Sequence, residues 1–232
     1  NVLGYADSDV NEAVINIIEK GSNSTLNAPE EIELSELLIN LHDWSGMVRL
    51  CRTGAEAMSI AARIVRTFKR KDKILFCGYH GWSDWYVAAN LGSGDILKGH
   101  VIPGIEPIGV PESMKGTSVA FNYNDIGSLK KIVEKDYENI AGIMMEPIRN
   151  LKPKDRFLEN VRDLANHYKI PLVFDEITSG FRLSTAGAHK EITNIVPDIA
   201  VFSKAMGNGH PIAAVVGTEE LMIKAADAFI SS

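Results

Sequence analysis

The sequence predicts an α/β fold, a mostly parallel sheet with helices on both faces. Two observations carry that expectation. From residue 47 onward, strand-length apolar runs alternate with helix-length amphipathic segments. The runs are apolar at nearly every position, which is the pattern of strands buried on both faces.

The elements follow in chain order. Val10, Ala13, Val14, Ile17 and Ile18 give residues 9–20 a helical period, and Gly21 is placed to end that helix. A polar stretch leads to a second helix over 29–42. There Pro29 suits the first turn, and Glu30, Glu31 and Glu33 suit the positive N-terminal end. Residues 1–45 are thus expected to be an N-terminal helical segment, and 46–232 a large α/β domain. Residues 47–51 read as a strand, and 55–69 as a helix with Met58, Ala61, Ala62, Val65 and Phe68 along one face. The next strand is 73–77. Residues 79–112 are loop-rich and hold Trp82 and Trp85. Strand 119–121, helix 126–135, strand 140–145, helix 156–168 and strands 172–174, 199–202 and 213–216 complete the series, with a last helix over 221–229. There is no internal repeat and no low-complexity segment.

Composition narrows the function. The 232 residues suffice for one large domain or a domain and a half. A formal charge of −6 argues against nucleic acid or an anionic membrane as the main partner. No apolar run approaches the ~20 residues of a membrane-spanning helix. The N-terminal residues lack the charged and apolar regions of a signal peptide, so the expected location is cytoplasmic. Cys51 and Cys77 are expected as free thiols. With no initiator methionine and no polar tail after 221–229, the chain reads as a piece of a longer protein.

Four junctions carry chemistry. Ser203-Lys204 ends the apolar run 196–202 and opens a glycine-rich turn, Ala205-Met206-Gly207-Asn208-Gly209. A lysine there is costly to bury unless its amine has a task. Asp175-Glu176 ends the run 171–174. A lysine and an aspartate at the same ends of neighbouring strands suit a cofactor chemistry. The lysine forms a Schiff base with pyridoxal phosphate, and the aspartate pairs with the pyridinium nitrogen. Ile177, two residues past Asp175, would share its side of a continued strand and supply an apolar floor for the ring. Thr53-Gly54-Ala55-Glu56 joins a strand to a helix, where free N–H groups and the dipole favour phosphate and the Thr53 hydroxyl adds a donor. A plain strand-to-helix turn has the same four residues. Tyr79-His80-Gly81 offers a ring to stack on a flat cofactor; a half-buried tyrosine beside a satisfied histidine is the alternative. Glu146 ends the run 140–145 and either faces the crevice or pairs with a basic residue or a backbone N–H. No histidine has a partner at metal-ligand spacing, so no metal is expected.

These stretches together resemble the class III aminotransferases among the fold-type I pyridoxal-phosphate enzymes, and within them glutamate-1-semialdehyde aminomutase and its relatives. The resemblance rests on Thr53-Gly54-Ala55-Glu56-Ala57, Tyr79-His80-Gly81, residues 175–182 (Asp-Glu-Ile-Thr-Ser-Gly-Phe-Arg) and Lys204 through Pro211-Ile212-Ala213. It implies Lys204 as the Schiff-base lysine, Asp175 as the pyridinium partner, Tyr79 stacking on one ring face and Ile177 packing on the other. Gly54 and Ala55 would hold the phosphate by N–H groups, with Thr53, His80, Glu146 and Ser203 in the same cofactor site. It also implies an amino donor and a carbonyl acceptor as substrates, a homodimer with a shared active site, and a C-terminal small domain beyond residue 232.

Three departures stand out. Ala55 replaces a hydroxyl residue, Trp82 replaces a histidine, and Arg149 replaces the glycine before Asn150. The last two, with Trp85, are candidates for specificity. An intramolecular aminomutase is the alternative activity. A nucleotide-binding module is a remote one, because Lys204 precedes its glycines instead of following them.

Overall fold

The computed structural model describes residues 1–21, 25–92, 94–100, 103–192 and 195–230, the Ile192 side chain excepted. Its seven strands are β1 (Met47–Cys51), β2 (Lys73–Cys77), β3 (Ser118–Ala120), β4 (Ile140–Met145), β5 (Leu172–Asp175), β6 (Ile199–Phe202) and β7 (Ala213–Gly217). They form one sheet in the order β1-β7-β6-β5-β4-β2-β3. The neighbours from β3 through β6 pair in parallel, and β7 is antiparallel to both β1 and β6. The chain between β6 and β7 holds only the turn around residues 204–210, too short for a crossover, so that pair closes as a hairpin.

The helices are α1 (Ser8–Lys20), α2 (Pro29–Leu41), α3 (Gly54–Lys69), α4 (Asp84–Val87), α5 (Ile126–Asp136), α6 (Phe157–Tyr168), α7 (Ala188–Ile192), α8 (Glu219–Met222) and α9 (Lys224–Asp227). Alternate strand residues feed two cores, as the period of two requires. Phe76, Met144, Val173, Val201 and Val215 pack with α3, α8 and α9. Leu75, Ile143, Met145, Leu172 and Phe174 pack with α5 and α6 on the opposite face. On that second face, Ala200, Phe202, Ala214 and Val216 pack against Leu38 of α2. Strands buried on both sides explain the continuous apolar runs. No helix among the described residues is long and apolar enough to cross a membrane.

Helix α1 stands where the sequence placed it, ended at Gly21, and one later element departs from expectation. Helix α1 is amphipathic but buries no residue, and Ile15 and Ile18 stay more than half exposed. Its ends are nonetheless capped: the Asp7 carboxylate accepts the Val10 N–H, and the Gly21 N–H reaches Ile17 O and Ile18 O. The helix expected over 221–229 is two short ones, α8 and α9, meeting at Ile223. The Ile223 backbone keeps helical angles, so the path loosens there without turning away.

The residue that follows β5 is a densely bonded polar anchor of the scaffold. Glu176 is fully buried. Its carboxylate accepts the Ser179 hydroxyl, the Ala188 and His189 N–H groups at 2.9 Å each, and His189 Nδ1–H at 2.8 Å. These bonds fold residues 176–189 back onto one group. His42 ties the same segment to α2, with Nδ1 2.7 Å from Leu38 O and Nε2 3.0 Å from Ala186 O. Burial works to raise the Glu176 carboxyl, but the bonds from His189 and Ser179 outweigh it and hold the group below the usual range. A carboxyl depressed in the folded state adds stability above its unfolded pKa, and that stability is lost as pH falls through the folded value. Glu176→Gln is therefore expected to lower the unfolding free energy in urea by about 3 kcal/mol at neutral pH. It should also flatten the acid-induced loss of stability just below the ordinary glutamate range.

Candidate active site

The C-terminal ends of parallel β2, β5 and β6 meet the N-terminus of α3 on one edge of the sheet, the edge where open α/β sheets bind ligands. A cavity of about 160 Å³ lies there, lined by Gly54, Ala55, Tyr79, His80, Gly81, Trp82, Asp175, Ile177, Thr178, Ser203 and Lys204. Eight of the ten residues singled out from the sequence line it. Thr53 and Glu146 do not.

Helix α3 begins with a capping box. Thr53 is extended, and its Oγ1 accepts the Glu56 N–H at 3.2 Å. The Glu56 carboxylate accepts the Arg52 N–H at 2.9 Å and the Thr53 N–H at 3.4 Å. The acceptor side of the Thr53 hydroxyl is thus engaged by the helix, the strand-to-helix turn that the sequence held open beside a phosphate role. The N–H groups of Gly54 and Ala55 have no partner among the described residues and sit at the positive end of a 16-residue helix. Gly54 is also a close-approach position. A Cβ there would lie 2.8 Å from Ile177 Cδ1, so only glycine lets Ile177 rise to this height.

Asp175 is 3% exposed, and its two oxygens are held from different sides. His80 Nδ1–H donates to Oδ2 at 2.7 Å, and the Ile177 N–H donates to Oδ1 at 3.0 Å. A carboxylate only accepts, so Nδ1 of His80 carries the proton. The buried Nε2 of His80 has no partner among the described residues. The imidazole stacks on Trp85 at 6.0 Å and 24°, and Phe76 and Tyr86 meet it edge-on. His80 thus serves Asp175 from behind. Ile177 reaches the cavity by a different route from the one expected. The strand stops at Asp175, and the bond to Oδ1 turns the chain so that Ile177 faces the same space.

Lys204 is exposed, not buried as its place after an apolar run implied. Its backbone is left-handed, φ 46°, which costs on the order of 1 kcal/mol for a side chain with a Cβ. Its Nζ donates to Thr178 Oγ1 at 3.0 Å. Ser203 Oγ donates to Ile212 O at 2.9 Å and closes the hairpin to β7. Thr178 went unnoticed in the sequence, although it stands in the same run as Asp175. Trp82 is 77% exposed at the mouth of the cavity, whereas Trp85 is core and so contributes no contact there.

Glu146 lines a neighbouring cavity. Its Oε2 accepts the Tyr79 N–H at 3.0 Å and lies 3.6 Å from Arg149 Nη1, the paired alternative of the two considered. Burial raises its carboxyl; the Tyr79 N–H pulls the other way, and the Asp175 charge adds to the rise. Both cysteines are free, and burial pushes each thiol up to about 12, which keeps them protonated and poor nucleophiles.

The chain matches known proteins over nearly its whole length. The model of the aminotransferase class-III family matches residues 1–228. A 3-aminobutyryl-CoA aminotransferase of Cloacimonas acidaminovorans is 40% identical over 239 residues, covering 100% of this chain and 53% of that protein. A glutamate-1-semialdehyde 2,1-aminomutase of Methanocaldococcus jannaschii is 37% identical over 227 residues, covering 95% and 52%. A solved transaminase structure with PLP bound superposes with a TM-score of 0.84 at 25% identity, covering 95% of this chain and 52% of that one. The chain spans about half the length of the curated relatives it matches.

The pair of His80 and Asp175 is separately testable. His80→Leu removes one of the two N–H donors of a buried carboxylate and is expected to cost about 3 kcal/mol in urea unfolding. Adding Asp175→Leu should cost less than the sum of the two single changes, because the pair is one unit.

Proposed function

The chain belongs to the class-III aminotransferase family, and on that footing we propose that it holds pyridoxal 5′-phosphate and moves an amino group from a small-molecule amine donor to an aldehyde or keto acceptor. One observation carries the reading. A lysine amine, a buried aspartate and two unpartnered helix N-terminal N–H groups line a single cavity.

The residues fit the cofactor by their chemistry. Gly54 and Ala55 offer N–H donors and a positive dipole end to a phosphate. Glycine at 54 lets Ile177 pack close over the start of α3, because a Cβ there would lie 2.8 Å from Ile177 Cδ1. Tyr79 and Ile177 supply an aromatic and a branched aliphatic surface for a flat ring. Asp175, held by two N–H donors, presents a fixed anionic acceptor to a protonated ring nitrogen. When bound, the cofactor supplies an aldehyde that condenses with amines and a ring that takes up the electron pair released at the substrate carbon.

The chain's own part is positioning and proton handling. Lys204 carries the one amine in the cavity lining, and Thr178 Oγ1 orients it at 3.0 Å. As a free base, Nζ takes a proton from carbon on one side of the transfer and returns it on the other. His80 keeps Asp175 in place while charge shifts. Thr53 keeps the first turn of α3 formed, so that its N–H groups stay aimed.

An intramolecular aminomutase is the second reading, supported by the 37%-identical relative of that name. A single amino-aldehyde turned over without a separate acceptor would favour it. The proposal includes a cytoplasmic location and a homodimer with a shared site; the exposed Ile15 and Ile18 of α1 support self-association, which sedimentation checks.

Mixing the protein with pyridoxal phosphate is expected to give a visible absorption band that survives gel filtration. Lys204→Ala should lose that band while its circular dichroism stays unchanged. An unaltered band in Lys204→Ala would refute the role of Lys204.

A further inference from the structure

The turn that carries Lys204 is fastened on two sides. On the sheet side, Ser203 Oγ donates to Ile212 O at 2.9 Å. On the outer side the fastening comes from the start of the chain. The Asn208 side-chain carbonyl accepts the Leu3 N–H at 3.1 Å, and its NH2 group donates to Gly4 O at 3.3 Å. Gly209 lies against the same segment: its φ is 109°, and a Cβ there would meet Asn1 Oδ1 at 2.9 Å. Among the described residues, no other hydrogen bond joins residues 1–5 to the α/β body.

One amide thus spends an acceptor and a donor on one backbone segment 204 to 205 positions away. A purely conformational role for Asn208 does not account for this. Its φ is 43°, in the left-handed region that asparagine tolerates, and that backbone does not need the amide to reach residues 3 and 4. The strain sits at the other end of the same turn, where Lys204 holds φ 46° with a Cβ. Strained backbone persists only where its surroundings over-determine it. Within the turn, the Met206 N–H reaches Ser203 O at 3.1 Å, the Asn208 N–H reaches Ala205 O at 3.2 Å, and the His210 N–H reaches Gly207 O at 2.9 Å. The bond from Asn208 ends on Ala205, the neighbour of Lys204, so a shift of Asn208 is passed directly to the lysine.

We propose that Asn208 is a positioning residue for Lys204: its amide clamps residues 3–4 onto the lysine turn and so keeps the amine aimed at Thr178 and the cavity. The inference rests on that cavity being the cofactor site. It makes the first residues of the chain part of the support of the site. It also gives α1, which buries no residue of its own, a mechanical link to the lysine.

Asn208→Gly tests this, because it keeps the left-handed backbone and removes only the amide. The dissociation constant for pyridoxal phosphate, read from the visible band, should rise about threefold to thirtyfold, the worth of one or two net hydrogen bonds. Without cofactor, acetylation of the Lys204 amine by acetic anhydride, followed by mass spectrometry, should speed up about threefold or more, while Lys190 in the same protein keeps its rate. Leu3→Pro removes the N–H from the other side of the clamp and should reproduce both effects, and the double variant should be no worse than either single one. Asn208→Asp keeps an acceptor for the Leu3 N–H and should fall between wild type and Asn208→Gly. Unchanged cofactor affinity with unchanged Lys204 acetylation in folded Asn208→Gly overturns the clamp, as do additive effects of Asn208→Gly and Leu3→Pro. Absence of the band in wild type, with Lys204 acetylation still responding to Asn208→Gly, would sink the cofactor reading and leave the clamp standing.

Discussion

Adjacent carboxylates at the end of β5 face opposite ways, and the rest of the site depends on that split. Strand geometry sends successive side chains to opposite sides. Asp175 goes to the cavity, where His80 holds it. Glu176 goes to the scaffold, where Ser179, Ala188 and His189 close a loop on it. The loop fastened by Glu176 carries Ile177 and Thr178, which meet Gly54 and Lys204. A buried carboxylate without its donors would be costly, so neither acid tolerates loss of its partners. Function and fold are thus coupled through one peptide unit.

The parallel strands explain why so few residues need placing. β2, β5 and β6 run the same way, so the three segments that follow them emerge on one edge. The junction into α3 opens onto the same edge. Tyr79, Asp175, Ser203 and Gly54 are distant in sequence and adjacent in space for that reason alone. Antiparallel β7 then ties down the lysine turn through Ser203 and Ile212.

Strands were the most legible feature, because a run buried on both faces is apolar from end to end. Met47–Cys51, Lys73–Cys77, Ile140–Met145 and Ile199–Phe202 stand where their apolar runs placed them. The site was legible as a set of strand ends, and less so as a set of contacts. Thr53 reads equally as phosphate donor or helix cap until Glu56 is seen bonding back to it. His80 and Asp175 are separated by 95 positions, so no local pattern announces their bond. His189, the donor that fixes Glu176, lies in a stretch with no periodic signal. The exposure of Lys204 follows from a left-handed turn that no spacing rule encodes.

The central claim is that Asp175 meets the cofactor ring while Glu176 only shapes the scaffold. Nitrogen-15 NMR of ring-labelled pyridoxal phosphate bound to the protein tests it most directly. The ring nitrogen should be protonated at neutral pH in wild type and in folded Glu176→Gln, and deprotonated in Asp175→Asn. A ring nitrogen that stays protonated in Asp175→Asn, or loses its proton in Glu176→Gln, would contradict the assignment.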